Sequence, residues 1–548
     1  MAFAADEICQ FDSDAFCLFA SKLGELTCSF YDGRVVRKIF FSSSEWSAAI
    51  STALLLIVSF PNFGLFLIAW VALVPLMVVI ARRPAPWRAF ILGWIAGSVF
   101  FYVSCYWLTY SMIHYGGLPT LLAYLLLVPG ALVVGVFPGL FGLLLALAVR
   151  KWGRYAVLLA PVFWPACEWV RLSVTGQLWN ALGYSQAYHP ALIQAASWGG
   201  VYAVSFLVVA TNAAITLLIV KQTRRSIVTT LLVALFVAIV IVVSPATDAH
   251  APQYAPLTAV ALQPNVPMTP VKSADETSEL IKRHLELSKL GLKSRADGVP
   301  VVVVWPESPM NFTYASDKTL QELVASFTKE NHTSLLFNSL EPAPDGGAYN
   351  SALLINEEGR LISQYDKIRL MPFGEYVPLP HWLPGASLIS GIVGDFTPGT
   401  NYTVMPMGSR HVGVFICIES AYPWLARTLV RNGADTLINI SNDGYLGRTA
   451  VMRQHLANAI SRAVENRTPV LRVTNTGLSA SISSDGTVVQ STDGFQVDVR
   501  VWPLNQKTTG LTFYTKHGDV FVHACTGLTL AILFVILFRS RRSFRDLR

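Results

Sequence analysis

Charge is what this sequence has least of. Of its 548 residues 14% are Asp, Glu, Lys or Arg, against 53% hydrophobic, where a soluble domain carries about 25% charged residues. That shortfall excludes an ordinary soluble protein and makes a membrane protein the first reading. The net charge is +7, but the basic residues form no single patch of the kind nucleic acid needs. They stand in short clusters between apolar runs, where membrane topology uses them. Histidine and cysteine show no grouping with zinc spacing. There is no glycine-rich phosphate loop, no internal repeat and no low-complexity tract.

What is abundant is apolar length. Seven runs precede residue 245, at roughly 46–60, 62–81, 89–112, 119–149, 156–170, 198–220 and 226–244, and an eighth covers 519–538. A spanning helix needs about 20 apolar residues. The runs 46–60 and 156–170 are short by that measure, and 119–149 is long enough to kink at Pro129-Gly130. The expectation is a polytopic membrane domain of about eight helices. Alternating from a cytoplasmic N-terminus puts Arg34, Arg37, Lys38, Arg82, Arg83, Arg88, Arg150, Lys151, Arg154, Lys221, Arg224 and Arg225 inside, with the tail "RSRRSFRDLR". Arg171 is the main exception to this positive-inside pattern. The pattern leaves 245–518 on the far side. Residues 1–45 read as a cytoplasmic extension, not a secretory signal, since acidic residues precede the apolar run and no small-residue cleavage site follows. Residues 539–548 read as a basic cytoplasmic tail.

Seven cysteines are few enough to place one by one. Cys9, Cys17 and Cys28 lie in the extension, and Cys105, Cys167 and Cys525 in apolar runs. Cys417 stands alone in the large outer segment. A buried free cysteine packs as a small hydrophobe. Outside the cytoplasm a cysteine without an intradomain partner is also a candidate reactive thiol.

From 255 to 510 short β-branched runs alternate with helical patterns, which predicts an α/β domain. Strands such as "VVVVW" are apolar throughout, as strands buried on both faces are. "EEGR" and "SDGT" read as hairpin turns. Three polar residues stand where apolar runs end: Glu307 after "VVVVWP", Lys367 in "YDKIRLMPFGEYVP", and Cys417 after "VFI". Strand ends are where α/β sheets hold their chemistry. Each has an ordinary alternative: a turn cap, a solvated lysine, a core thiol. Together they form a base, a cation and a nucleophile. Glu307 could take the thiol proton, Lys367 could steady an oxyanion, and Cys417 would carry the acyl group as a thioester.

The set in "WPES", "YDKIRLMPFGEYVP" and "ICIES", with "NISNDGYLG", resembles the nitrilase, or carbon–nitrogen hydrolase, superfamily. With the membrane helices, and with "EWVR" at Glu168–Arg171 and "LGYSQ" at Leu182–Gln186, the chain is similar from about 46 to 540 to the apolipoprotein N-acyltransferase family. That resemblance implies a four-layer αββα sandwich on a helical membrane base in a bacterial inner membrane, catalytic domain on the periplasmic face. It implies a ping-pong reaction. Cys417 takes an acyl chain from the sn-1 position of a phospholipid, typically phosphatidylethanolamine, and passes it to the free α-amino group of the diacylglyceryl-cysteine of an apolipoprotein. Glu307 is the base and Lys367 the oxyanion donor, Glu375 and Glu419 are supporting carboxylates, and Trp305 and Tyr445 are candidate aromatics at the substrate. No metal, cofactor or nucleic acid is implied.

The sequence departs from the family pattern at Ile418, where Tyr is common, at "NDGYLG" (Asn442–Gly447), at "GQLW" (Gly176–Trp179) and near "PNVPMTPVKS". These positions bear on substrate preference more than on the three central residues. The apolar stretch Leu379 to Phe396, with Trp382, is expected to be a lid reaching the outer leaflet. Glu168 and Arg171 share one helix face as an ion pair or a functional pair, and His455 and Arg462 read as structural. The rival reading is a membrane-tethered amidohydrolase in which water resolves the thioester. A non-catalytic scaffold is a second.

Overall fold

A computed structural model describes residues 41–61, 63–243, 257–268, 273–296, 298–307, 312–372, 374–376, 396–507 and 510–545. Nearly all of the expected lid, Trp382 included, and most of the N-terminal extension lie outside them. Residues 41–48 hold the start of the first helix, where Ser42 donates its N–H and O–H to Glu45 (2.7 and 2.9 Å).

The membrane helices are α1 (Ser43–Ser59), α2 (Val74–Arg82), α3 (Pro86–Ser104), α4 (Leu108–His114), α5 (Thr120–Trp152), α6 (Ala160–Thr175), α7 (Val201–Val220) and α8 (Arg224–Val243). Among the described residues six helices are long and apolar enough to cross a membrane, and α1 and the 66–82 stretch are shorter. The expected count of eight is therefore not met by length. The 62–81 run breaks into a 3₁₀ turn, Phe66–Trp70, and α2. Asn212 of α7 holds that break: its side chain donates to the Ala69 carbonyl (3.0 Å) and accepts from the Leu73 amide (2.9 Å). The 89–112 run ends at Ser104 and resumes as α4. Helix α5 runs unbroken through Pro138 and through Pro129-Gly130, where a kink was expected.

Helices α3 and α5 pack backbone to backbone. A methyl group on Gly93 would strike the Pro138 carbonyl, one on Gly97 the Pro138 ring, and one on Gly142 the Ala89 carbonyl. Small residues at four-residue spacing allow this approach where lipid offers no hydrophobic drive.

The outer domain runs β1 (Thr258–Gln263), α9 (Ala274–Lys293), β2 (Val301–Val304), α10 (Lys318–Asn331), β3 (Ser334–Pro342), β4 (Ala348–Ile355), β5 (Leu361–Asp366), β6 (Val404–Met407), β7 (Arg410–Ile416), α11 (Pro423–Arg431), β8 (Thr436–Ser441), α12 (Val451–Asn466), β9 (Val470–Thr474), β10 (Ala480–Ile482), β11 (Val488–Ser491) and β12 (Asp498–Pro503), then α13 (Phe513–His517) and the apolar α14 (Val520–Arg545). Two six-stranded sheets form, ordered β12-β1-β2-β3-β4-β5 and β11-β10-β9-β8-β7-β6. Their central strands are parallel and their flanks antiparallel. Both expected hairpins form, at Asn356–Arg360 and Ser483–Thr487.

The sheets face each other across Val302, Val304, Leu354, Val414, Ile416, Ile438 and Val473. Helices α9 and α10 cover the far side of the first sheet through Ile281, Leu320, Val324 and Phe327. Helices α11 and α12 cover the second, and their cluster continues into Trp107, Trp179 and Val204 of the membrane domain. The expected αββα order is thus present, with its second helix layer seated on the membrane helices.

Candidate active site

The ends of β2, β7 and the antiparallel edge strand β5 come to one place. Glu307 lies three residues past β2, Lys367 directly follows β5, and Cys417 directly follows β7. Lys367 Nζ contacts Glu307 Oε1 at 3.3 Å and Glu375 Oε1 at 2.8 Å. Asn350 of β4 joins the same two oxygens, donating Nδ2–H at 3.0 and 2.7 Å, and is itself oriented by Asn338 (2.7 Å). Glu375 also accepts the Met371 amide (2.8 Å). Lys367 is 1% exposed. Burial alone would depress its pKa, but the charges of Glu307 and Glu375 overrule it and hold the ammonium well above the ordinary lysine value.

Cys417 opens a 3₁₀ turn with φ +54°. That left-handed conformation is uncommon for a residue with a side chain and is kept where surroundings enforce it. Burial, then the Glu307 charge, raise the thiol pKa well above its usual value, while Lys367 pulls it down. The resting thiol is therefore protonated and needs a base before it can attack.

Glu419 is fully buried and ties two loops together. One oxygen accepts the Ile368 and Arg369 amides (2.7 and 3.0 Å), the other accepts the Ile416 amide (2.7 Å), and Tyr365 donates to both (2.9 Å). It thus fixes the Lys367 loop against the Cys417 turn. Burial lifts its pKa to about 7 against the pull of those amides.

Two expected aromatics part company. Tyr445 lies half-exposed at the membrane side, where Ser111 donates to its carbonyl (2.6 Å) and Tyr115 packs edge-on at 5.7 Å. Trp305 points away from the site into the outer helix layer. It donates to Ser288 (2.9 Å) and packs on His284 and Phe337. Glu168 and Arg171 are buried but not directly paired: Glu168 accepts from Trp164 and the Leu182 amide (2.8 and 2.7 Å), and Arg171 donates to the Trp179 carbonyl (2.7 Å) over the Phe101 ring.

Sequence reasoning missed Asn350, whose signal was a lone asparagine in an apolar strand. It also missed a chain behind the thiol. Arg472 donates to Asp443 (3.0 Å), Asp443 faces His455 Nδ1 (2.7 Å), and His455 Nε2 faces the Cys417 carbonyl (2.9 Å). Among the described residues no group of His, Cys, Asp and Glu could hold a metal.

The membrane helices match a family model described as the apolipoprotein N-acyltransferase N-terminal domain over residues 52–214, and the outer domain matches carbon-nitrogen hydrolase over 259–512. An apolipoprotein N-acyltransferase of Geobacter metallireducens is 30% identical over 509 residues, covering 91% of this chain and 96% of its own. One of Rhizobium meliloti is 29% identical over 546 residues, covering 93% and 98%. The solved structure of Saccharomyces cerevisiae Nit3, a member of branch 10 of the nitrilase superfamily, is 19% identical with a TM-score of 0.37, covering 46% of this chain and 92% of its own.

Proposed function

This chain belongs to the apolipoprotein N-acyltransferase family, and on that footing we propose that it N-acylates lipoproteins by a ping-pong route through Cys417. Glu307 takes the Cys417 proton as sulfur attacks the sn-1 ester carbon of a phospholipid. Lys367 faces the oxyanion that forms. The C–O bond breaks, Glu307 returns the proton to the departing oxygen, and a lysophospholipid leaves behind a thioester. The α-amine of a diacylglyceryl-cysteine then attacks that thioester. Its proton passes through Glu307 to the sulfur as the C–S bond breaks, giving an amide and the free thiol.

The observation that carries this reading is the buried Glu307–Lys367–Glu375 cluster beside a left-handed Cys417 turn. In this reading Glu375 and Asn350 hold Lys367 in place, and Glu419 sets the distance between the Lys367 and Cys417 loops. In the same reading Tyr445, whose carbonyl accepts from Ser111 of α4, meets lipid arriving from the membrane side. The positive-inside charge pattern supports a bacterial inner-membrane protein with residues 245–518 on the periplasmic face. Phosphatidylethanolamine is the proposed donor.

The test uses purified full-length protein in mixed micelles with phosphatidylethanolamine and a diacylglyceryl-cysteine peptide. The expected result is a peptide heavier by one acyl chain by mass spectrometry, absent with Cys417→Ala. Release of free fatty acid with an unchanged peptide would favour the hydrolase instead.

A further inference from the structure

His455 and Gln454 are adjacent on α12 and face different domains. Gln454 spends its whole hydrogen-bonding capacity on the membrane base. Its Oε1 accepts from Trp107 (3.1 Å) and Trp179 (2.8 Å), and its Nε2 donates to the Pro61 and Ser104 carbonyls (both 3.0 Å). A glutamine side chain offers two donors and an acceptor oxygen with two lone pairs, so nothing is left over for water. The Trp179 ring also lies 5.6 Å from the His455 ring.

His455 is 3% exposed and both its ring nitrogens meet oxygen acceptors. Nε2 meets the Cys417 carbonyl, which can only accept, so Nε2 carries a proton. Nδ1 meets Asp443 Oδ1 at 2.7 Å. Asp443 also accepts from the buried Arg472 guanidinium at 3.0 Å. The ring thus bridges the Asp443 carboxylate and the Cys417 carbonyl. The Asn439 side chain adds a second, longer bond to the same carbonyl (3.4 Å). The His455 bond lands on the peptide carbonyl of a residue held at φ +54°.

We infer that His455 is a positioning residue: held in place by Asp443, it clamps the Cys417 carbonyl and keeps the nucleophile's turn left-handed, while Gln454 fixes the same helix to the membrane base. The geometry of the thiol is thereby set from the side of the molecule through which lipid arrives. This inference rests on the reading of Cys417 as nucleophile.

The test is the first-turnover release of lysophosphatidylethanolamine from phosphatidylethanolamine by full-length protein in mixed micelles. His455→Ala is expected to slow that release about 100-fold, the scale of a misplaced reacting group, with donor KM within about threefold. His455→Gln keeps an N–H near the position of Nε2 and is expected to recover to within about tenfold of the unmodified protein. A merely structural role would move neither the kcat-against-KM split nor the rescue. A folded His455→Ala with unchanged rate would overturn the inference, as would a folded His455→Gln no faster than His455→Ala. Where His455→Ala fails to fold, His455→Gln compared with the unmodified protein decides: folded but about 100-fold slow, it overturns the inference. Cys417→Ala separates the two ideas. If it still releases lysolipid at the normal rate, the nucleophile reading itself fails. If it is silent while His455→Ala is normal, the positioning role alone fails.

Discussion

On the outer face of the sandwich, α9 buries Ile281, His284 and Ser288 and turns Lys282, Glu286 and Lys289 to solvent. On the inner face, α12 buries every residue from Gln454 to Asn466. Both helices carry at least as many polar side chains as apolar ones. The outer helix uses them as a solvated face, started by a reciprocal cap between Ser273 and Glu276. The inner helix uses them as a dry interface. Arg462 pairs with Glu465 at 2.8 Å, Arg462 also donates to Tyr184, and Glu465 accepts the Val201 amide. A polar helix face in a membrane enzyme can therefore be the seam between its domains, and there each charge depends on its partner.

The largest break in this comparison is chemical. Cys417→Ala, behind the inner layer, is expected to lower N-acylation by roughly 10⁴-fold or more. Trp305→Phe, next to Glu307 in sequence but turned to the outer layer, is expected to stay within about threefold. Steady-state rates on both variants check this.

Stability gives the next contrast. Arg462→Met strands the Glu465 carboxylate in a buried site and is expected to cost about 3–5 kcal/mol. Lys289→Met on the solvent face of α9 should fall within about 0.5 kcal/mol. Unfolding of the two variants in the same detergent reads the difference, and equal losses would erase the distinction between the layers.

A smaller effect follows from Trp305. Loss of its N–H leaves the Ser288 hydroxyl without that donor, so Trp305→Phe is expected to lose about 1–2 kcal/mol by the same unfolding measurement.

The smallest effect is a matter of sign. Burial lifts Glu465 to about 7 against the pull of Arg462. An acid raised on folding keeps its proton longer in the native state, so its contribution is present below the unfolded value of about 4.3 and is lost as pH rises toward 7. Burial lowers His284 to about 4. A base lowered on folding contributes above its unfolded value of about 6.5, and that contribution is lost as pH falls toward 4. The two slopes oppose, each at most about 1.4 kcal/mol per pH unit. Glu465→Gln should therefore make stability rise more steeply from pH 4.5 to 7, and His284→Gln should make it fall. Melting curves across that range read both signs.

The sequence made the chemistry legible because Glu307 and Cys417 each end an apolar run that forms a parallel strand, and Lys367 stands just past the end of a strand that leads into the "MPFGEYVP" loop. The sandwich followed from short apolar strands between amphipathic helices such as α9. Trp305 misled because nearness in sequence to Glu307 says nothing about which face of the sheet a side chain takes. The chain from Arg472 through Asp443 to His455 stayed hidden because its members are separated in sequence and only the fold brings them together. The break in the 62–81 run was unreadable for a like reason: the asparagine that holds it comes from α7. The glycines of α3 and α5 were visible at helical spacing, but which helix they met was not.

The central claim is that Cys417 carries the acyl group. The most direct measurement is the intact mass of the full-length protein after phosphatidylethanolamine is added without an acceptor. The account predicts a gain of one acyl chain on Cys417, lost when a diacylglyceryl-cysteine peptide is added and matched by an equal gain on that peptide. Acylated peptide formed with no acyl-enzyme in the first turnover, or formed equally well by Cys417→Ala, would contradict it.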